Sequence, residues 1–173
     1  MRIVFDLDGV LRDLCTYMQD RLGVPYPQEW FWTHEGKTIY EFIKEDGYKA
    51  LVYAPATDLL LPLVRSGYPI ELWTNQPEHW RPYTELWIKN NLPEAVVRYL
   101  TTQEKQKCLA LEPDTLLVDD CPNFTDFSRV LLYSQPYNTR CDAVRRITDK
   151  QDFLFYLSQA MNDIQQCKIS KQP

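Results

Sequence analysis

Residues 2–9 read Arg2-Ile3-Val4-Phe5-Asp6-Leu7-Asp8-Gly9, an apolar run that ends in two aspartates and a glycine. A short apolar run closed by a turn residue reads as a buried strand, here residues 2–7 with the turn at Gly9. Two further stretches repeat the form, Pro69-Ile-Glu-Leu-Trp73 and Thr115-Leu-Leu-Val-Asp119, and shorter apolar runs lie at 95–100, 129–133 and 144–147. Helical patterns fall between them, at about 57–66, 80–90, 104–111 and 149–166. Strands alternating with helices imply an α/β fold built on a parallel sheet with both faces covered.

One stretch breaks the alternation. Residues 13–53 carry helical patterns at 13–22 and 38–46, separated by Pro25, Pro27 and the cluster Trp30-Phe31-Trp32. They read as a small helical insertion after the first strand. The expected organisation is therefore a core of residues 1–12 and 54–167, an insertion of 13–53, and a frayed tail of 168–173 without periodicity.

Bulk properties narrow the function. No apolar run approaches the roughly 18 residues of a membrane span, and charges appear too early at the N-terminus for a secretory signal, so a cytoplasmic location is expected. Cys15, Cys108, Cys121, Cys141 and Cys167 are odd in number and widely spaced, which suits reduced thiols. With only His34 and His79 beside them, a His/Cys metal centre is not expected. The net charge of −5 disfavours long nucleic acid as a partner, because binding a polyphosphate backbone calls for a basic face. A small anion remains possible.

In a parallel α/β sheet ligands bind beyond the carboxyl ends of the strands. Three strands end in polar groups there: Asp6-Leu7-Asp8-Gly9, Thr74-Asn75, and Asp119-Asp120. Four carboxylates at one sheet edge repel one another unless a cation joins them. Each piece alone also has an ordinary use: aspartates form turns, threonines cap helices, and lysines such as Lys105 and Lys107 are usually solvated. Their conjunction at strand ends is the informative feature.

These segments resemble the four motifs of the haloacid dehalogenase superfamily, in that family's order. Val4-Phe5-Asp6-Leu7-Asp8-Gly9-Val10-Leu11 is similar to the first motif, Leu72-Trp73-Thr74-Asn75 to the second, a lysine near 105 to the third, and Leu117-Val118-Asp119-Asp120 to the fourth. Within it, the chain most resembles the 5′(3′)-deoxyribonucleotidases over about residues 2–157, through Phe31-Trp32, Thr102-Gln-Glu-Lys105 and Val130-Leu-Leu-Tyr133 besides the first and fourth motifs. The resemblance implies a Rossmann-like core with a small helical cap, and a Mg²⁺-dependent phosphatase that forms an aspartyl-phosphate. It makes Asp6 the nucleophile and Asp8 the general acid and base. Thr74 and Asn75 would bind the phosphoryl oxygens, and Lys105 would neutralise the site. The metal ligands would be Asp6, the Asp8 backbone carbonyl and Asp120, with Asp119 behind it.

Two departures from the family pattern stand out. More residues separate the lysine from Asp119-Asp120 than in the deoxyribonucleotidases, which leaves Lys107 as an alternative to Lys105. An aromatic residue of the family's base pocket is Leu14 here. Phe31 and Trp32 could stack on a base or fill the insertion's own core, whereas Trp73, Trp80 and Trp87 read as packing residues. The expected substrate is a nucleoside monophosphate. The alternatives are another small phosphomonoester, such as a phosphosugar, or a catalytically silent binding protein of the same fold.

Overall fold

The computed structural model describes residues 1–59, 69–124, 128–143 and 145–169. Six parallel strands form the sheet: β1 (Arg2–Phe5), β4 (Glu71–Thr74), β5 (Val96–Tyr99), β6 (Thr115–Asp119), β7 (Val130–Tyr133) and β8 (Arg146–Ile147). Their order is β5-β4-β1-β6-β7-β8, so the first strand lies in the middle, paired with β4 and β6. A strand there is covered on both faces and needs a continuous apolar run, which Ile3-Val4-Phe5 supplies.

Alternation along the strands sorts the core into two layers. Ile3, Phe5, Leu72, Leu116, Val118, Leu131 and Ile147 pack on one side against Trp87, Ile88 and Phe153. These come from helices α4 (Arg81–Asn91) and α6 (Lys150–Ile169). Val4, Trp73, Leu117 and Val130 face the other way, onto Leu109 of helix α5 (Thr102–Leu111). The α/β architecture expected from the alternation is the one observed. The chain leaves β1 before Asp6, two residues earlier than the apolar run suggests.

Between β1 and β4 come helices α1 (Leu14–Leu22), α2 (Ile39–Glu45) and α3 (Lys49–Tyr53), with a two-stranded antiparallel hairpin, β2 (Thr33–His34) and β3 (Lys37–Thr38). Helix α1 starts where Asp13 accepts from Thr16 N at 3.0 Å and ends at Gly23 in the left-handed region, φ +66°. The hairpin corrects the expectation of a purely helical insertion. Its loop is Glu35-Gly36, both at positive φ as a tight two-residue hairpin turn requires. A glutamate in that conformation is uncommon, so the sequence carries little signal for it.

These helices share a core of Leu14, Met18, Val24, Ile43, Ala50, Leu51 and Ala54 with Trp80. Trp87 Nε1 donates to Ala54 O at 2.7 Å, joining α4 to the end of this segment. The helix expected over 57–66 falls mainly on 60–68, outside the described residues. The last helix runs on through Ile169, past the expected start of the tail at 168, and 170–173 are likewise outside. Among the described residues, no helix is long and apolar enough to cross a membrane. Cys15, Cys108, Cys121 and Cys141 are free thiols.

Candidate active site

The carboxyl ends of β1 and β6 bring Asp6, Asp119 and Asp120 together, each buried and each offering an oxygen within 4.8 Å of the others. Lys105 reaches them from the first turn and a half of α5. That helix is capped by Thr101, whose hydroxyl and backbone N–H both donate to Glu104 while Thr101 Oγ1 accepts from Glu104 N at 3.3 Å. Lys105 Nζ lies 2.9 Å from Asp6 Oδ1 and 2.7 Å from Asp119 Oδ2. Its side chain is 3% exposed. Lys107, two residues on, sits on the exposed face of the helix. Geometry thus brings Lys105 to the carboxylates and leaves Lys107 in solvent.

The electrostatics follow from this crowding. Burial pushes the Asp6 carboxyl up to about 7 against the pull of Lys105, and Asp119 and Asp8 add to the rise. Asp120 is raised well above the ordinary carboxylate range by burial, then by Asp6 and Asp119. Burial works to lower Lys105, but the neighbouring Asp119 and Asp6 carboxylates outweigh it and hold the ammonium above its usual value. One lysine does not balance the cluster. A group of oxygen donors with excess negative charge is suited to a hard divalent cation, and these three aspartates could hold one.

Gly9 is required twice over. Its φ is +81°, and a Cβ there would stand 2.2 Å from Asp120 Oδ2 and 2.6 Å from the Tyr137 hydroxyl. Tyr137 donates that hydroxyl to the Asp120 carboxylate, and Asn138 Nδ2 donates to Asp120 O at 2.8 Å. Asp119 Oδ1 accepts from Cys121 N at 2.8 Å, so both of its oxygens are engaged.

Asp8 is held differently. Arg12 Nε donates to Asp8 Oδ1 at 2.7 Å and Nη2 to Oδ2 at 3.0 Å, while Gln76 Nε2 donates to Oδ2 as well. The Asp8 side chain keeps 24% of its surface exposed, whereas Arg12 has none. Leu7, between the two aspartates, points into the apolar layer of β1.

A pocket of about 290 Å³ joins this cluster to the segment that follows β1. Asp6, Asp8, Asn75, Lys105, Asp119 and Asp120 line one part, and Leu14, Trp30, Phe31, Trp32, Tyr40 and Trp80 the other. Thr74, at the end of β4, is only 1% exposed, one residue behind the pocket-lining Asn75. The three clustered aromatics differ in setting. Phe31 is 90% exposed. Trp32 stacks on His34 at 5.9 Å and tilts against Phe42, within the insertion's core. Trp30 leans on Tyr137 at 5.6 Å. Trp80, expected only to pack, is both buried and part of the pocket wall, and Trp73 and Trp87 are fully buried.

Sequence reasoning missed Arg12, Gln76, Thr84 and Tyr137. Arg12, Gln76 and Tyr137 stood near recognised motifs, and none of them carries a spacing signal. No protein-family model matches this chain, and no curated protein matches it.

Proposed function

We propose that this protein is a Mg²⁺-dependent phosphomonoester hydrolase of the haloacid dehalogenase type, most suited to nucleoside monophosphates. The observation that carries the reading is the Lys105 ammonium set between Asp6 and Asp119, beside Asp120, at the carboxyl edge of a parallel sheet. That arrangement suits attack by a carboxylate on a dianionic phosphoryl group, since the repulsion between them is offset by fixed positive charge.

In the proposed mechanism Lys105 occupies Asp6 Oδ1, and Asp6 Oδ2 attacks phosphorus. The ester P–O bond breaks, and Asp8 gives its proton to the departing alkoxide. Water then attacks the phosphoryl group on Asp6, Asp8 takes a proton from that water, and the P–O bond to Asp6 breaks. Phosphate leaves with Asp6 and Asp8 restored. Asp6, Asp120 and the Asp8 backbone carbonyl would hold the Mg²⁺, which supplies positive charge to the transferring oxygens. Asn75 and Thr74 would orient those oxygens. The segment carrying Trp30, Phe31 and Tyr40 acts as the cap over the leaving group.

The test is phosphate release from a panel of nucleoside monophosphates, sugar phosphates and aryl phosphates with Mg²⁺. Nucleotides are expected to lead. Faster release from sugar phosphates would move the substrate class, and no release from any member would leave a binding protein. A chelator is expected to abolish turnover, and Mg²⁺ to restore it better than Ca²⁺, whose larger and looser shell fits a compact octahedral site less well. Full turnover in excess chelator would remove the metal from the proposal.

The aromatic residues separate by experiment. Phe31 has a free ring face, so Phe31→Ala is expected to weaken nucleotide use about 5- to 150-fold, matching roughly 1–3 kcal/mol of base stacking. Its effect on a small aryl phosphate should be slight. Trp32→Ala removes a packed ring, and its signature is a lowered melting temperature with losses on every substrate. A Phe31→Ala enzyme unchanged toward nucleotides would place base recognition on other residues.

A further inference from the structure

The hold on Asp8 is more elaborate than a strand-end carboxylate requires. A buried arginine is costly unless its donors are satisfied, and Arg12, at 0% exposure, satisfies them on three elements. Nε and Nη2 form a fork on Asp8, Nη1 donates to Leu51 O at 2.7 Å, and both Nη atoms lie 3.2 Å from Thr84 Oγ1. The guanidinium lies 5.7 Å over the ring of Trp87. Thr84 in turn donates its hydroxyl to Gln76 Oε1 at 2.8 Å. That bond fixes the Gln76 amide with its nitrogen toward Asp8, where it donates to Oδ2.

A carboxylate offers two lone-pair sites on each oxygen. Among the described residues, Oδ2 of Asp8 uses both, one for Arg12 and one for Gln76, whereas Oδ1 uses one, for Arg12 Nε. Arg12 itself has no surface for substrate, so it cannot be a phosphate-binding arginine. We propose that Arg12, backed by Thr84 and Gln76, is the positioning residue of Asp8 and confines its proton exchange to Oδ1. This deepens the phosphatase reading and rests on it. The proton delivered to the leaving alkoxide departs from Oδ1, and the same oxygen receives the proton of the attacking water. The clamp fixes the angle at which that single site meets the ester oxygen.

Two esters distinguish positioning from simple structural support. A simple alkyl phosphate needs a proton on its leaving oxygen, whereas 2,4-dinitrophenyl phosphate does not. The ratio of kcat/KM reports the step that breaks the ester bond. Arg12→Lys keeps the charge but loses the fork, and is expected to lower kcat/KM on the alkyl ester roughly 10- to 100-fold, the scale of a small misplacement of a reacting group. The loss on the dinitrophenyl ester should be at least about ten times smaller. Thr84→Val, nearly the same in volume and at a residue that does not line the pocket, should shift the same ratio in the same direction, and it decides the matter if Arg12→Lys does not fold. In an Asp8→Asn background neither change should cost more than about 2-fold, because a residue acting only through Asp8 has nothing left to position.

Equal losses on both esters, or full additivity with Asp8→Asn, would overturn the positioning role. So would an unchanged ratio in Thr84→Val. A wild-type protein that releases phosphate from neither ester would instead remove the phosphatase reading, and the clamp's catalytic role with it.

Discussion

Asp6→Asn is expected to lower phosphate release by roughly 10⁴-fold or more, the scale seen when a covalent nucleophile is removed. The amide has nearly the shape of the carboxylate, so the sheet edge keeps its geometry, yet it cannot form an acyl phosphate. The fold should survive and can even gain. Burial and the neighbouring Asp119 and Asp8 push the Asp6 carboxyl up to about 7, so the native charge is held against an electrostatic cost. Without metal, a neutral side chain there is expected to leave the melting temperature equal or higher. The measurement pairs turnover with acid-quenched labelling: wild type should retain label from a radioactive phosphoester, and Asp6→Asn should retain none. Near-normal turnover by the variant would rule out the aspartyl-phosphate route.

How much of this was readable beforehand depends on where each signal lives. The strand ends were legible because apolar runs that stop in Asp-x-Asp-Gly, Thr-Asn and Asp-Asp are local features, and a parallel sheet brings such ends to one edge. Helix α5 was legible too, and the pair Thr101 and Glu104 could have placed its start two residues earlier than periodicity did. Arg12 was not. An arginine after Val10-Leu11 reads as the first solvated residue of a loop, and its burial depends on Leu51, Thr84 and Trp87, which lie 39 to 75 positions away along the chain. Gln76 and Thr84 were missed for the same reason, since their roles exist only once α4 is docked. Trp32 and Phe31 are adjacent and alike in type, yet one is packed and the other open, a distinction set by the Glu35-Gly36 hairpin that the sequence barely signals.

Lys105→Ala is the second large effect, and its two consequences have separable causes. Catalytically it removes a fixed cation from the carboxylate it neutralises, which is expected to cost at least about 10²-fold in kcat, comparable with losing one preorganised oxyanion donor. Structurally it strands three buried carboxylates within 4.8 Å of one another with no cation among them. Breaking a buried ion pair from one side costs about 3–5 kcal/mol, so the metal-free variant should melt well below wild type. Mg²⁺ provides the discriminating measurement. If the aspartates bind it, the variant should recover more melting temperature on adding Mg²⁺ than wild type does, because the ion replaces part of the missing charge; turnover should not recover in proportion, because the lysine's place beside Asp6 Oδ1 stays empty. Lys107→Ala, on the exposed face two residues on, is expected to stay within about 0.5 kcal/mol of wild-type stability and to keep its activity. A damaging Lys107→Ala together with a harmless Lys105→Ala would mean that the buried ammonium is not the group that balances this site.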